Sequence, residues 1–308
     1  MTSRSLRTAP APWGVHLKLL GMAVLWGASW PAGKVVAQAL PAFTASALRF
    51  ALAAGLLLGW LLATLGRAPL RALSGRQWAG LALAGALGVF GYAAFFLLGL
   101  QHVPAGRAAL VVTTNPVLTS LLAAWWFGER FNRRIGLGMA LAVLGAAVVL
   151  THGSPWTVFP GGVGVGEALL MGCVLCWSGY TLAGKRLLGG VDALTTTTVT
   201  AGVGLALLLA VAAVVEGPSA WHSAWAAPVG VWLALVFLAA GATVLAYAWY
   251  FEGVKALGAG AAAAYISLVP VFGVLFATLG LGEAVDASLV LGGALVLTGM
   301  VVMNRARR

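Results

Sequence analysis

Long apolar stretches, broken by short polar punctuation, run the whole length of this chain. Ten can be marked, at residues 16–36, 43–65, 78–100, 105–127, 135–151, 163–182, 194–215, 229–251, 259–281 and 287–303. A helix needs about 20 apolar residues to cross the hydrocarbon core of a bilayer, with about 17 as the lower limit. Stretches 135–151 and 287–303 sit at that limit. The pattern predicts an all-α integral membrane protein of ten transmembrane helices. The intervening segments are brief and rich in Gly, Pro and Arg. The longest, 152–162, carries Pro155 and Pro160 and reads as the joint between two halves, 16–151 and 163–304. Residues 1–15 and 305–308 are then terminal tails.

Composition supports the same class. Of 308 residues, 61% are hydrophobic and 8% charged, against about 25% charged in a soluble domain. Lipid is the only solvent that accepts such a chain once folded. A net charge of +11 would suggest nucleic acid in a soluble protein. Here the basic residues flank apolar stretches without interleaved aromatics, so they read as topology signals and no nucleic-acid partner is expected. With the N-terminus in the cytoplasm, alternate crossings put every Lys and Arg inside except Lys34, Arg49 and Arg107. That bias predicts an even number of crossings, with both termini on the cytoplasmic side of a bacterial plasma membrane. Arg4 and Arg7 ahead of the first stretch look like the start of a signal peptide. The stretch is too long and lacks a small-residue cleavage site, so it reads as a retained helix. Cys173 and Cys176 share one stretch with no second Cys pair, which favours packing over a disulfide or a metal site.

The stretches also repeat. Trp26 and Ala32-Gly33-Lys34 recur 151 residues later as Trp177 and Ala183-Gly184-Lys185. After a three-residue indel the shift becomes 154. Gly99, Ala105 and Gly106 recur as Gly253, Ala259 and Gly260, and Pro116-Val117 as Pro270-Val271. Gly128-Glu129 recurs as Gly282-Glu283, and Gly145 as Gly299. Each half holds five stretches, an odd number, so the second half enters the membrane upside down relative to the first. That is the inverted-repeat design of secondary transporters, which place their site near the midplane between the halves.

The doubled pattern Ala-Gly, Pro-Val, Gly-Glu and Gly, with Trp26-Gly27 and Trp30-Pro31 ahead of it, resembles the EamA type of the drug/metabolite transporter superfamily. The resemblance covers nearly the whole chain. Within the group the chain is similar to the YddG type of amino acid exporter. The resemblance implies a basket of ten helices around a central cavity, working by alternating access. It implies export of small amphiphilic metabolites, aromatic and other neutral amino acids foremost, with drugs or other metabolites as the alternative. The expected partners are a small-molecule substrate and the lipid bilayer, with the protein as a monomer or loose dimer and no cofactor.

A carrier needs polar or aromatic side chains facing a central cavity. Stretch 78–100 offers Tyr92, Phe95, Phe96 and Gly99 on one helical face, and 229–251 offers Tyr247, Tyr250 and Phe251. Tyr92, Phe95, Tyr247 and Tyr250 are the expected lining, and Trp249 is expected to pack. The first stretch carries Trp26, Ser29 and Trp30 before Pro31, and its repeat mate carries Trp177, Ser178 and Tyr180. Trp26, Trp30, Trp177 and Tyr180 are therefore candidates, with helix packing as the alternative for each Trp. Thr113 and Asn115 precede Pro116, and Tyr265 and Ser267 precede Pro270. Asn115 at membrane depth must find hydrogen bonds, from a solute or across a kink. Pro31, Pro116 and Pro270 are expected hinges.

Charges refine this picture. Lys34 and Arg49 are expected to snorkel to headgroups rather than to bind a carboxylate. Glu129 and Glu283 are expected at helix ends, pairing with Arg such as Arg130. No stretch has Asp, Glu or His at its centre, which argues against a mid-membrane proton carrier and for a facilitator or exchanger. Mid-helix regions lack the clustered Lys/Arg that phosphate esters require, so a neutral, aromatic cavity is expected. Catalytic residues are expected to be absent: the chain has no His-Glu-x-x-His, no paired acids and no Gly-x-Ser-x-Gly.

Overall fold

The computed structural model describes residues 13–128, 132–151, 153 and 164–306, and every regular element among them is helical. The long helices are α1 (Trp13–Ala39), α2 (Ala42–Thr64), α3 (Gly75–His102), α4 (Ala105–Trp126) and α5 (Arg133–Leu150). They continue as α6 (Val165–Leu187), α7 (Ala193–Trp225), α8 (Val229–Leu257), α9 (259–281) and α10 (Ala287–Ala306). Eight of them, α1–α4 and α6–α9, are long and apolar enough to cross a membrane. The chain is a multi-pass membrane protein. The apolar part of α10, Ala287–Met303, is shorter, and α10 packs along α5. The joint at 152–162 lies outside the described residues except for Gly153, as do Arg4 and Arg7.

Where these helices end, the chain supplies partners for the free peptide groups. Ser74 and Gln77 form a capping box at the start of α3. Asn132 and Asp192 cap α5 and α7 by accepting from the N–H of Ile135 and of Thr195, each at 2.8 Å. Gly128 and Gly282, with φ of 66° and 68°, close α4 and α9 in the left-handed region that favours glycine.

At the end of the bundle where α4 begins, charged side chains take over this task. Glu283 accepts from the N–H groups of Ala105 and Gly106, at 2.7 and 2.9 Å, at the start of α4. Lys34 donates to the carbonyls of Leu100 and Val103, at 2.6 and 3.1 Å, where α3 ends. Glu216 accepts from the N–H of Phe43 and of Thr44, at 2.9 and 2.7 Å, at the start of α2. Arg107 donates to the Val149 carbonyl near the end of α5 and pairs with Asp286. Anions at N-termini and cations at C-termini also suit the helix dipoles. Lys34 therefore does not snorkel, because the α3 carbonyls lie within its reach. Glu283 takes up a helix end; Glu129 and Arg130 lie outside the described residues.

Glycines set the helix contacts. α5 and α10 run antiparallel with Gly138 against Gly299 and Gly145 against Gly292; a Cβ on Gly292 would lie 2.6 Å from the Gly145 carbonyl oxygen. Gly138 matches Gly292, and Gly145 matches Gly299, under the shift of 154. Each glycine thus meets the counterpart of the other. The same exchange links the remaining halves. On α1 and α8, Gly21 lies under Trp249 and Leu19 over Gly253; on α6 and α3, Gly172 lies under Phe95 and Leu170 over Gly99. Those pairs interconvert by the shifts of 151 and 154. Both contacts are antiparallel, whereas α1 runs parallel to α3, with Trp30 beside Phe96 and Lys34 beside Leu100.

Gly292→Leu should force the α5–α10 backbones apart and destabilise the protein by about 1–3 kcal/mol, read as a lower unfolding midpoint in detergent. Gly55→Ala is the control: its Cβ meets nothing within 4 Å, and the midpoint should hold or rise slightly. Equal losses in the two variants would contradict the contact. Glu283→Ala leaves two N–H groups at the head of α4 without their acceptor, and a loss of about 1–3 kcal/mol is expected in the same assay.

Candidate functional site

A cavity of about 360 Å³ lies among α1, α2, α3, α4, α6, α8, α9 and α10. A second space of about 370 Å³ shares Trp26, Trp177, Thr181, Tyr247 and Ile266 with it and runs on to Lys185, Leu188 and Val191. The two form one vestibule that reaches the end of the bundle where α6 stops. The opposite direction is packed. Trp30, 4% exposed, sits 5.1 Å from Phe96, and beyond it Val36, Leu40, Leu97, Leu100 and Val103 form a continuous core. That core lies beneath the Lys34 and Glu283 caps.

Two aromatic groups face the cavity. On one side Trp26 of α1 lies 5.3 Å from Tyr247 and 5.6 Å from Tyr250, both of α8. On the other, Trp177 of α6 lies 5.6 Å from Tyr92 of α3 and 5.6 Å from Tyr180. Trp26 is fixed by its Nε1, which donates to the Ala242 carbonyl at 2.9 Å. That carbonyl is available because α8 widens into a π-helical stretch over Phe237–Leu245. α3 carries a π-helical stretch at Ala86–Gly91, the corresponding place in the first half.

Two helices also break at the cavity. α4 is interrupted between Val112 and Asn115, and α9 between Ile266 and Val269. The N–H groups of Thr113 and Thr114 reach back only three residues, as do those of Ser267 and Leu268. Pro116 and Pro270 follow each break, and each removes a donor from the ladder. Both prolines line the cavity. Thr119 and Ser178 bridge α4 to α6 at 2.9 Å. α1 by contrast runs through Pro31 without interruption, and Pro31 does not line the cavity.

The structure brings together most of the residues singled out from the sequence. Trp26, Trp30, Tyr92, Thr113, Asn115, Trp177 and Tyr247 line the first space, and Tyr180 and Tyr250 the second. Three fall elsewhere. Phe95 turns away and lies on Gly172 of α6; Phe96, one residue on, faces the cavity and lies 6.2 Å from the Tyr92 ring. Residues 92 and 96 share a helical stripe, and a step of one residue rotates a side chain by about 100°. Tyr265 instead bonds His16 on α1 at 2.7 Å. Ser267 is buried at the α9 break without lining the cavity.

The sequence missed one residue of consequence. Arg49, expected at the headgroups, lines the cavity and donates through Nη2 to Thr243 Oγ1 at 3.1 Å. Its guanidinium carbon lies 5.0 Å from the centre of the Phe50 ring and 5.9 Å from that of Phe96. The cavity is therefore not neutral. Seven residues from the start of α2 Arg49 is within reach of headgroups in principle, but its guanidinium turns to Thr243 of α8 and to the Phe50 and Phe96 rings instead. Among the described residues, no cluster of three His, Cys, Asp or Glu side chains could hold a metal ion.

A model of the EamA-like transporter family matches the chain twice, at residues 13–151 and 164–305. An uncharacterised transporter of Bacillus subtilis, YyaM, is 29% identical over 94% of this chain and 93% of its own length. A probable terminal-alkyne amino-acid exporter of Streptantibioticus cattleyicolor is 27% identical over 97% of this chain and 95% of its own. The aromatic amino acid exporter YddG of Ancylobacter novellus is 30% identical over 68% of this chain and 73% of its own.

The rings give a direct test of the cavity. Trp177→Ala and Tyr247→Ala should each raise the half-saturation concentration of a transported solute by about two- to tenfold, the worth of one ring contact. Trp125→Ala, whose ring is 76% exposed on the outer surface of α4, should leave it unchanged.

Proposed function

We propose that this chain, which belongs to the EamA-like transporter family, exports small amphiphilic metabolites, aromatic and other neutral amino acids foremost, by alternating access. The observation that carries this reading is the aromatic vestibule. It is built from both halves of the chain, sized for a small organic solute, and open at one end only. Two relatives named as amino-acid exporters support the substrate class.

The architecture behind the cycle is two inverted repeats of five helices, with α5 and α10 completing ten crossings. The double match of the family model supports it. So does the exchange of contacts: α1 packs on α8 as α6 packs on α3, while α1 runs parallel to α3 and antiparallel to α8. The basic residues Lys185, Arg186 and Lys255 favour a cytoplasmic open end, in a bacterial plasma membrane. A solute then enters from inside, stacks between the Trp26 and Trp177 groups, and meets the closed core around Trp30 and Phe96. Opening outward requires the helix ends held by Lys34 and Glu283 to part. The breaks in α4 and α9 are the places where backbone can yield, since their peptide ladder is already interrupted.

Among the described residues lining either space there is no Asp, Glu or His, which favours a facilitator or exchanger driven by the solute gradient. Reconstituted protein should show saturable counterflow of phenylalanine or another neutral amino acid, with little response to an imposed pH gradient. Flux rising linearly with concentration would indicate a channel. Strong acceleration by the pH gradient, at fixed substrate protonation, would overturn the uncoupled mechanism.

A further inference from the structure

Arg49 places a cation in an apolar wall at membrane depth, and among the described residues no carboxylate forms an ion pair with it. An unpaired buried charge is strongly unfavourable, and proteins keep such groups where a ligand compensates them. The side chain is also held still. Phe50 and Phe96 flank the guanidinium. Thr243 Oγ1 accepts from Nη2, and the same hydroxyl donates to the Leu238 carbonyl at 2.8 Å, so its lone pair is turned to Arg49. This leaves the Nε, which is sealed from solvent and has no partner among the described residues. A guanidinium held in this way keeps its remaining N–H groups for an acceptor, and a carboxylate is the acceptor that matches its planar fork. Asn115, which lines the same cavity, carries a second buried atom without a partner, the acceptor Oδ1.

We infer that Arg49 is the recognition group for a carboxylate on the transported solute, and that Asn115 accepts a hydrogen bond from a donor on the same molecule. The solute class is thus narrowed to organic acids and zwitterions bearing an aromatic or apolar body, with amines and neutral amides disfavoured. The inference rests on the transport reading above for its setting, but the recognition chemistry comes from Arg49 alone.

The test begins with the unaltered protein in liposomes loaded with phenylalanine. External phenylalanine, 3-phenylpropionate and phenylalaninamide compete for counterflow. Both carboxylates are expected to compete at least about tenfold better than the amide, the scale of a charged hydrogen bond. Arg49→Gln should erase that preference while an unfolding midpoint near that of the parent reports an intact fold, and Arg49→Lys should keep part of it. An amide as good as the acids, or a preference that survives in Arg49→Gln, overturns the inference and leaves amino acid transport standing. If Arg49→Gln does not fold, the acid-to-amide ratio in the unaltered protein decides by itself. If neither phenylalanine nor another neutral amino acid is exchanged, the amino acid transport reading fails on its own. Thermal stabilisation of the detergent-solubilised protein by the same three compounds then decides the role of Arg49: acid over amide supports it, and no preference overturns it.

Discussion

Inside a bilayer there is no water to pair with a peptide group, and every part of this structure answers to that shortage. It forces the chain into helices, whose interiors satisfy themselves, and pushes the difficulty to helix ends and breaks. The ends of α2, α3 and α4 are closed by Glu216 of α7, Lys34 of α1 and Glu283 of the connection between α9 and α10. A charged residue is a heavy burden in such a protein, and most of those found here at one end of the bundle serve as caps. The tertiary structure follows, because a cap fixes which helix must stand beside which.

The same constraint locates the cavity. A broken helix exposes carbonyls that lipid cannot serve, so α4 and α9 can break only where they border protein or an internal space. Both break at the vestibule, and both prolines line it. The π-helical stretch of α8 is a milder case: it releases the Ala242 carbonyl and hands it to Trp26. The irregular backbone and the aromatic walls are thus one feature seen from two sides.

Much of this was legible in the chain itself. The apolar stretches marked the helices because hydropathy dominates all else in such a sequence. Their ends were less clear. α8 runs on past residue 251 through Glu252, which pairs with Lys18 at 2.6 Å, and α6 runs on through Lys185 and Arg186. Charge ends an apolar stretch without ending a helix. The aromatic candidates were legible as a set but not one by one, because sequence does not say which side of a helix faces inward; Phe96 lines the cavity where Phe95 was expected for that reason. Arg49 was illegible because its position near the head of a stretch allows two destinations, and only the neighbouring α8, with Thr243, decides between them.

The glycine seam between α5 and α10 has a consequence for origin. Gly138 meets the counterpart of Gly145, and Gly145 the counterpart of Gly138. A contact of that form is self-complementary: one five-helix half already carries both sides of it. On the proposed inverted arrangement, two separate copies of an ancestral half, inserted in opposite senses, could have met through this seam before a single gene joined them. The linker would then have had no interface to invent, only a stoichiometry and a pair of orientations to make permanent. After fusion each half was free to diverge, which lets Arg49 stand on α2 with Thr200 through Val203 in the corresponding region of α7. The cavity lining could become asymmetric while the glycine contacts of the scaffold stayed paired.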